Sequence, residues 1–349
     1  MASEIASELA SHPSASCVLI PVASWPTALL RNQIFAWHNS RWLKRHRHRL
    51  DVVHVNGFTT WAASDVNSAH FVHGSWLRSP LHTARLRRDF YGGYQWLYTA
   101  LGARWERRAY RQAGVVVAVS EKVRKELLEI GVQDRQIRII QNGVDLQNFS
   151  PGLADRNELG FPEGVPLALF VGDISTPRKN LDTVLNALPK VPGLHLAVAG
   201  STASSPYPQL AAQLGLSARV HFLGHRQDVP QLMRAADVFV FPSRYEAFPL
   251  VVLEAMASGL PVITATTSGT AELVGAECGI VMDDPNDADV LAVALKRIVQ
   301  DPESRKRMGR AARVVAEQHS WEQMSNRYLR LYEEIAQHES ARKPEDFDL

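Results

Sequence analysis

Residues 238–265 read VFVFPSRYEAFPLVVLEAMASGLPVITA. The apolar run 238–242 has the length of a buried strand. Pro249 suits the first turn of a helix, where its missing N–H costs nothing. The helix predicted over 250–258 is stopped by Gly259 and Pro261. A second apolar run, 261–265, follows. Strand, loop, helix and strand in this order, with strands apolar throughout rather than alternating, predict one unit of a parallel sheet covered on both faces.

The same rhythm extends outward. Strands are predicted over 167–171, 194–198, 220–223 and 279–282, and helices over 210–214, 229–236, 288–299 and 303–317. Asn180 is placed to cap a helix whose apolar positions Leu181, Val184, Leu185 and Leu188 follow the i, i+3, i+4, i+7 pattern. Toward the amino terminus the pattern is less clean. Residues 17–22, 51–55, 69–73, 115–120 and 137–140 read as strands. Residues 2–11, 85–111 and 121–130 read as helices, the last ended by Gly131. The stretch 148–152, NFSPG, reads as a hinge. The expected division is therefore 1–150 and 151–320, then a helix over 321–336 crossing back to the first domain and a polar tail over 337–349. The class is α/β, with doubly wound parallel sheets.

The length of 349 residues agrees with two domains. Hydrophobic residues at 46% and charged residues at 21% exclude a disordered or collagen-like chain. No apolar run approaches the roughly 18 residues of a membrane span, and residues 1–11 lack the basic start and apolar core of a signal peptide. The two cysteines, Cys17 and Cys278, exclude a disulfide framework or zinc cluster and agree with a reducing cytoplasm. The net charge of +2 conceals an asymmetry: residues 1–150 carry 19 basic and 11 acidic side chains, and residues 151–349 carry 19 and 25. A basic first half implies an anionic partner on that side.

Open α/β sheets bind ligands at the carboxyl ends of their strands. After residues 167–171 comes Gly172, then Arg178 and Lys179 just before a helix. A glycine permits close backbone approach and the cations attract an anion; a solvated loop with two surface cations has the same pattern. After residues 238–242 comes a loop carrying Glu246, and Glu254 lies about a turn and a half into the next helix. Two carboxylates there are good acceptors for sugar hydroxyls, although spacing alone equally allows a helix-dipole partner and a surface residue. The loop 267–272 reads as a plain turn and cap. Asp287 and Asp289 imitate a D-x-D metal motif but stand at a helix start, where acids favour the macrodipole. His46 with His48, and His70 with His73, lack partner ligands for a metal.

Glu246 and Glu254, seven residues between them, inside PSRYEAFPLVVLEAMASGLPVI resemble the signature of the retaining family 4, or group 1, glycosyltransferases. Three further segments agree in order: AVSEKVRKELLEIGVQDRQIRIIQNGVDLQNFSP, FVGDISTPRKNLDTVLNAL and VHFLGHRQDVPQLMRAADVFVFPS. The resemblance is strong over about residues 115–335 and weaker over 50–115. It implies a GT-B fold, two Rossmann-like domains facing across a cleft. The second would hold a UDP- or GDP-linked sugar and the first a glycan, lipid-linked or small-molecule acceptor. By matched position, Glu254 would accept from the ribose and Glu246 from the donor sugar. Gly172, Arg178 and Lys179 would receive the diphosphate, with amides near Phe248, Leu250 and Val251. Phe222 and Arg226 would line the base pocket. His73 would stand near the donor sugar and acceptor oxygen, with His70 its rival. Retention of anomeric configuration, no metal and no cofactor beyond the nucleotide sugar are further implications.

Two departures stand out. Gly172-Asp173 replaces the family's Gly-Arg, moving one cation to the Arg178-Lys179 pair. Nothing before Cys17 matches the family's opening strand and Gly-rich loop, so the reading expects these to be missing. That expectation supports an alternative, a catalytically impaired GT-B protein acting as a binding subunit. The basic, aromatic stretch 85–111 is expected either to rest peripherally on an anionic membrane at its cytoplasmic face or to be a solvated helix with a buried aromatic face. A nucleic-acid role for RWLKRHRHR (41–49) is disfavoured, because no recognised module accompanies it.

Overall fold

Leu167–Val171 (LALFV) is buried along almost its whole length and forms the central strand β5 of a six-stranded parallel sheet. A computed structural model describes residues 28–340 of the chain. The other strands are β6 (His195–Ala199), β7 (Val220–Gly224), β8 (Val238–Val240), β9 (Val262–Ala265) and β10 (Gly279–Met282), in the order β10-β9-β8-β5-β6-β7. From β5 the chain steps outward through β6 to β7, then returns to place β8 on the other side of β5. This is the doubly wound order of a dinucleotide-binding sheet, with its reversal between β5 and β8. A continuous apolar sequence is what a sheet covered by helices on both faces requires.

A second parallel sheet has the order β1 (His54–Asn56), β2 (Val66–Ala69), β3 (Val115–Ala118), β4 (Ile137–Ile139). The chain divides into two compact units, one of residues 1–141 with 321–349 and one of residues 142–320. The boundary falls earlier than a hinge at 148–152. Residues 144–150 are already tied to the second unit: the Val144 N–H donates to the His319 carbonyl at 2.9 Å, and Arg313 and Arg234 donate to the carbonyls of Phe149 and Ser150. The helix Trp321–Ser340 lies with the first unit, where Met324, Tyr328 and Leu331 pack against Val66, Val117 and Ile140.

The first sheet departs from the sequence reading at β2. The strand is Val66–Ala69, not 69–73, and His73 begins the helix His73–Arg78. VNSA looks too polar for a buried strand, yet all four residues are buried. Asn67 donates to the Gly57 carbonyl, and the Ser68 hydroxyl bonds Tyr328 and His54. The basic, aromatic stretch forms the helix Phe90–Gln112, capped by Asp89 through the Gly92 N–H at 2.8 Å. The expectations for residues 2–22, including a missing first strand and loop, and for the tail beyond 340 lie outside the described residues. No helix among the described residues is long and apolar enough to cross a membrane.

Candidate active site

The reversal between β5 and β8 brings together the loops that follow these two strands. The first begins at Gly172. Its neighbour Gly200 has no room for a side chain, since a Cβ there would lie 2.3 Å from the Gly172 carbonyl oxygen, whereas one on Gly172 would meet Phe241 and Lys179 at ordinary contact distance. The loop ends in a 3₁₀ turn, Pro177–Lys179. The second loop runs from Phe241 to the helix Leu250–Ala257.

Arg178 and Lys179 both reach the Oε1 atom of Glu246, Arg178 at 2.7 Å. Only 11% of the Glu246 side chain is exposed, so this is a largely dehydrated group of two cations and one carboxylate. Lys179 also lies over the Phe241 ring, 5.1 Å from its centroid. Burial pushes the Lys179 ammonium below the usual lysine range, against the opposing pull of Glu246.

Three residues outside the expected donor site, Asn180, Ser243 and Arg244, hold this loop. Asn180 was expected to cap the following helix. Instead it adopts a left-handed conformation, φ 67°, and makes no side-chain cap. Its Nδ2 donates to the carbonyls of Pro242 at 2.8 Å and Pro285 at 2.5 Å, while its Oδ1 accepts from Thr183. The carbonyl of Arg178 accepts from the Ser243 hydroxyl and the Arg244 N–H. The Arg244 guanidinium bonds Asp182 and the Pro177 carbonyl. The loop 267–272 is more than a plain turn: Gly269 N–H donates to the Glu246 carbonyl at 3.0 Å, and Glu246 forms a bridge with Ser268.

Glu254 makes no side-chain hydrogen bond or ion pair among the described residues. Burial alone pushes its carboxyl up to about 7. Phe248 is buried, and Leu250 and Val251 are half-buried at the start of the same helix, which no side chain caps. Phe222 stands on β7, two strands from β5, rather than beside the cations. Arg226 is engaged by Asp228, its Nε donating at 2.7 Å. Asp287 caps the helix Ala288–Gln300 through the amides of Asp289 and Val290. No group of three or more His, Cys, Asp or Glu among the described residues is arranged to hold a metal.

His73 belongs to the first unit. Its N–H donates to Glu106 Oε2 at 2.7 Å, and its Nδ1 lies 3.3 Å from Oε1. Glu106 is 2% exposed and also accepts from the Tyr110 hydroxyl at 3.0 Å. A carboxylate on Nδ1 fixes the ring so that Nε2 carries the lone pair when the imidazole is neutral. Gly102 gives the ring room, since a Cβ there would lie 3.1 Å from Cδ2. Glu106 escaped the sequence reading because a lone acid in an arginine-rich helix looks like a surface ion-pair partner.

Residues 153–315 match the model of the glycosyl transferases group 1, and residues 5–148 that of Glycosyltransferase Family 4. A D-inositol 3-phosphate glycosyltransferase of Mycolicibacterium smegmatis is 30% identical over 313 residues, covering 84% of this chain and 69% of that relative. The chain belongs to the group 1 glycosyltransferases. An uncharacterized glycosyltransferase of Methanocaldococcus jannaschii is 30% identical, with 62% of this chain and 59% of the relative covered. A D-inositol 3-phosphate glycosyltransferase of Saccharomonospora viridis is 35% identical, with 57% and 50% covered. The chain thus spans 59% and 50% of the length of these two relatives. Among solved structures, WaaG, a glycosyltransferase involved in lipopolysaccharide biosynthesis, superposes with a TM-score of 0.72 at 25% identity, over 93% of each chain. A sucrose-phosphate synthase of Thermosynechococcus elongatus gives 0.75 at 22% identity over 95% of this chain and 83% of its own. The two Rossmann-like parallel-sheet units are those of a GT-B glycosyltransferase.

Proposed function

We propose that this group 1 glycosyltransferase moves a hexosyl group from a UDP- or GDP-linked sugar, held by the second unit, to an acceptor hydroxyl held by the first, with retention of anomeric configuration. The observation that carries the reading is the convergence of Arg178, Lys179 and Glu246 at the strand-order reversal, with the unpartnered carboxylate of Glu254 on the adjoining helix. Breaking the C1–O bond leaves negative charge on the diphosphate and positive charge on the sugar ring. Two held cations and the uncapped helix start stabilise the leaving group where its charge develops. The leaving phosphate takes the acceptor's proton on the same face, and no metal or further cofactor is invoked. Glu254 accepts from the ribose hydroxyls, Glu246 from the sugar, and Phe222 and Arg226 border the base. His73, its Nδ1 beside Glu106, is the first unit's candidate for contact with the acceptor oxygen.

The acceptor is a glycan or a lipid-linked molecule. Phe90, Tyr91, Trp96 and Leu97 are exposed on the first turns of the helix Phe90–Gln112, next to the exposed Arg85, Arg87 and Arg88. Aromatic rings flanked by arginine suit the headgroup region of an anionic membrane, which supports peripheral contact at the cytoplasmic face.

The test is to supply purified protein with a panel of UDP- and GDP-sugars and follow thermal stabilisation, donor hydrolysis and the anomeric form of the product. Stabilisation and turnover by one donor class, with product of the donor's own configuration, is the expected result. Inverted product refutes retention. Binding without hydrolysis or transfer favours the impaired binding subunit.

A further inference from the structure

The first unit contains a cavity of about 270 Å³ at the carboxyl ends of β1 and β2. Its walls are aromatic: Phe35, Phe58, Phe71 and Tyr98 all face it. Three of these rings surround His73, with centroids at 5.6 Å (Phe58), 5.3 Å (Phe71) and 6.2 Å (Tyr98). Between the rings stand uncharged hydrogen-bonding groups, among them Asn56, Thr59 and His70. The His70 Nδ1 atom is buried and has no hydrogen-bond partner among the described residues. Buried polar atoms are nearly always partnered, so an orphan in a cavity wall marks a place where a ligand group is expected.

The charge of this lining is as informative as its shape. No lysine or arginine lines the cavity among the described residues. Burial pushes both His70 and the nearby His54 down to about 4, which keeps both rings neutral. Among the described residues the only carboxylate in the lining, Glu106, is taken up by His73 and Tyr110. A phosphomonoester carries about −1.5 to −2 charges at pH 7 and calls for arginine, lysine or an uncapped helix start. Among the described residues that line this space there is neither lysine nor arginine. Flat apolar rings interleaved with neutral donors and acceptors fit instead a ring with one apolar face and hydroxyls at its edge.

We propose that the cavity beside His73 receives an uncharged, hydroxyl-bearing ring of the acceptor, a sugar or sugar-like ring stacked on Phe58 and hydrogen-bonded to His70, and rejects a ring bearing a phosphate. The proposal rests on the sugar-transfer reading above, in which the first unit holds the acceptor.

The test uses the full chain without donor. Saturation-transfer NMR and titration follow three probes: phenyl β-D-glucopyranoside, myo-inositol and D-inositol 3-phosphate. The expected result is that at least one uncharged probe binds, at least tenfold more tightly than D-inositol 3-phosphate. Phe58→Ala then weakens that probe about tenfold, and Thr59→Lys, which adds a cation at the wall, narrows or reverses the preference. If Phe58→Ala fails to fold by circular dichroism, His70→Ala takes its place with the same expectation. Equal or tighter binding of D-inositol 3-phosphate to the wild type, no binding of either uncharged probe, or indifference to both substitutions overturns the proposal. UDP and GDP binding, measured on the same samples, keeps the two readings apart. Loss of nucleotide binding in the wild type strikes the transferase reading, whereas Lys179→Ala is expected to weaken nucleotide binding and leave the cavity probes unchanged.

Discussion

Burial pushes the Glu254 carboxyl up to about 7 from an ordinary 4.5, with no charged or hydrogen-bonding partner opposing it. In the window between these values the folded protein holds a proton that the unfolded chain has lost. This group's contribution to stability therefore falls as pH rises from about 4.5 to about 7. His54 and His70, pushed down to about 4, act with the opposite sign between about 4 and 6.5. The comparison of wild type with Glu254→Gln isolates the glutamate. The variant is expected to be more stable at pH 8, by on the order of 1–3 kcal/mol, and to lose the falling component of the pH profile. It should also bind UDP or GDP at least tenfold more weakly. Ribose hydroxyls donating to Glu254 favour its charged form, so nucleotide binding at pH 6.5 should release a proton. Calorimetry in two buffers of different ionisation enthalpy measures that release; an equal apparent enthalpy in both counts against the contact. Lys179→Ala should lower kcat by about 10²–10³-fold, as loss of one group stabilising a developing oxyanion does, while Glu246 keeps its bond to Arg178. Wild-type-like turnover would remove Lys179 from the mechanism. Position after a strand or inside the following helix marked these residues as candidates without separating them from surface side chains, and their expected roles came from the family resemblance. The roles of Asn180 and Glu106 were not legible, because their partners are distant carbonyls and a histidine 33 positions away.

The helix Leu250–Ala257 carries Glu254, and its position depends on two glycines. Gly259, at φ 77°, ends the helix, and its carbonyl oxygen meets the helix Pro302–Glu317 at Gly309, where a Cβ would come within 2.1 Å. Both contact points are backbone, so neither can turn aside. Gly309→Ala should therefore force the helices apart, destabilise the second unit by about 1–3 kcal/mol, and raise KM for the donor more than it lowers kcat. A variant of unchanged stability and KM would show that the contact yields easily. Asn180→Ala should act on the other side of the site. It removes two bonds to buried carbonyls and places a Cβ-bearing residue without a compensating amide in the left-handed region, at a cost of about 2 kcal/mol or more. At this scale the sequence reading succeeded where strands are continuously apolar, as in β5, β9 and β10. It slipped at β2 because Asn67 and Ser68 earn their burial from Gly57, His54 and Tyr328, contacts that no local pattern announces.

Across the whole molecule, the first unit depends on chain segments far apart in sequence. Tyr328 is 1% exposed and packs with Val66, Val117 and Ile140. Tyr328→Ala should cost about 3–5 kcal/mol, the usual loss for a large aromatic side chain removed from a core. Hydrogen exchange should rise in Val66–Ala69 and Val115–Ala118, while Leu167–Val171 stays protected. The exposed aromatics of the helix Phe90–Gln112 give a second measurement. Vesicles containing anionic phospholipid should bind the wild type more strongly than neutral vesicles, and less so at high salt. The double substitution Phe90→Ser with Trp96→Ser should release it, and undiminished binding would rule out this face.

The helix Trp321–Ser340 also fixes the order in which the molecule can be completed. Tyr328 bonds Ser68 across 260 positions of chain. During synthesis the strands of the first unit emerge early, yet the side chains that cover them arrive only after all of residues 142–320 has been made. The second unit has every one of its strands available by then and can close on itself while the first still waits. A chain truncated after residue 320 and released should thus display a protease-resistant second unit joined to an unfinished first one, with β2 and β3 still open to attack or to capture by a chaperone.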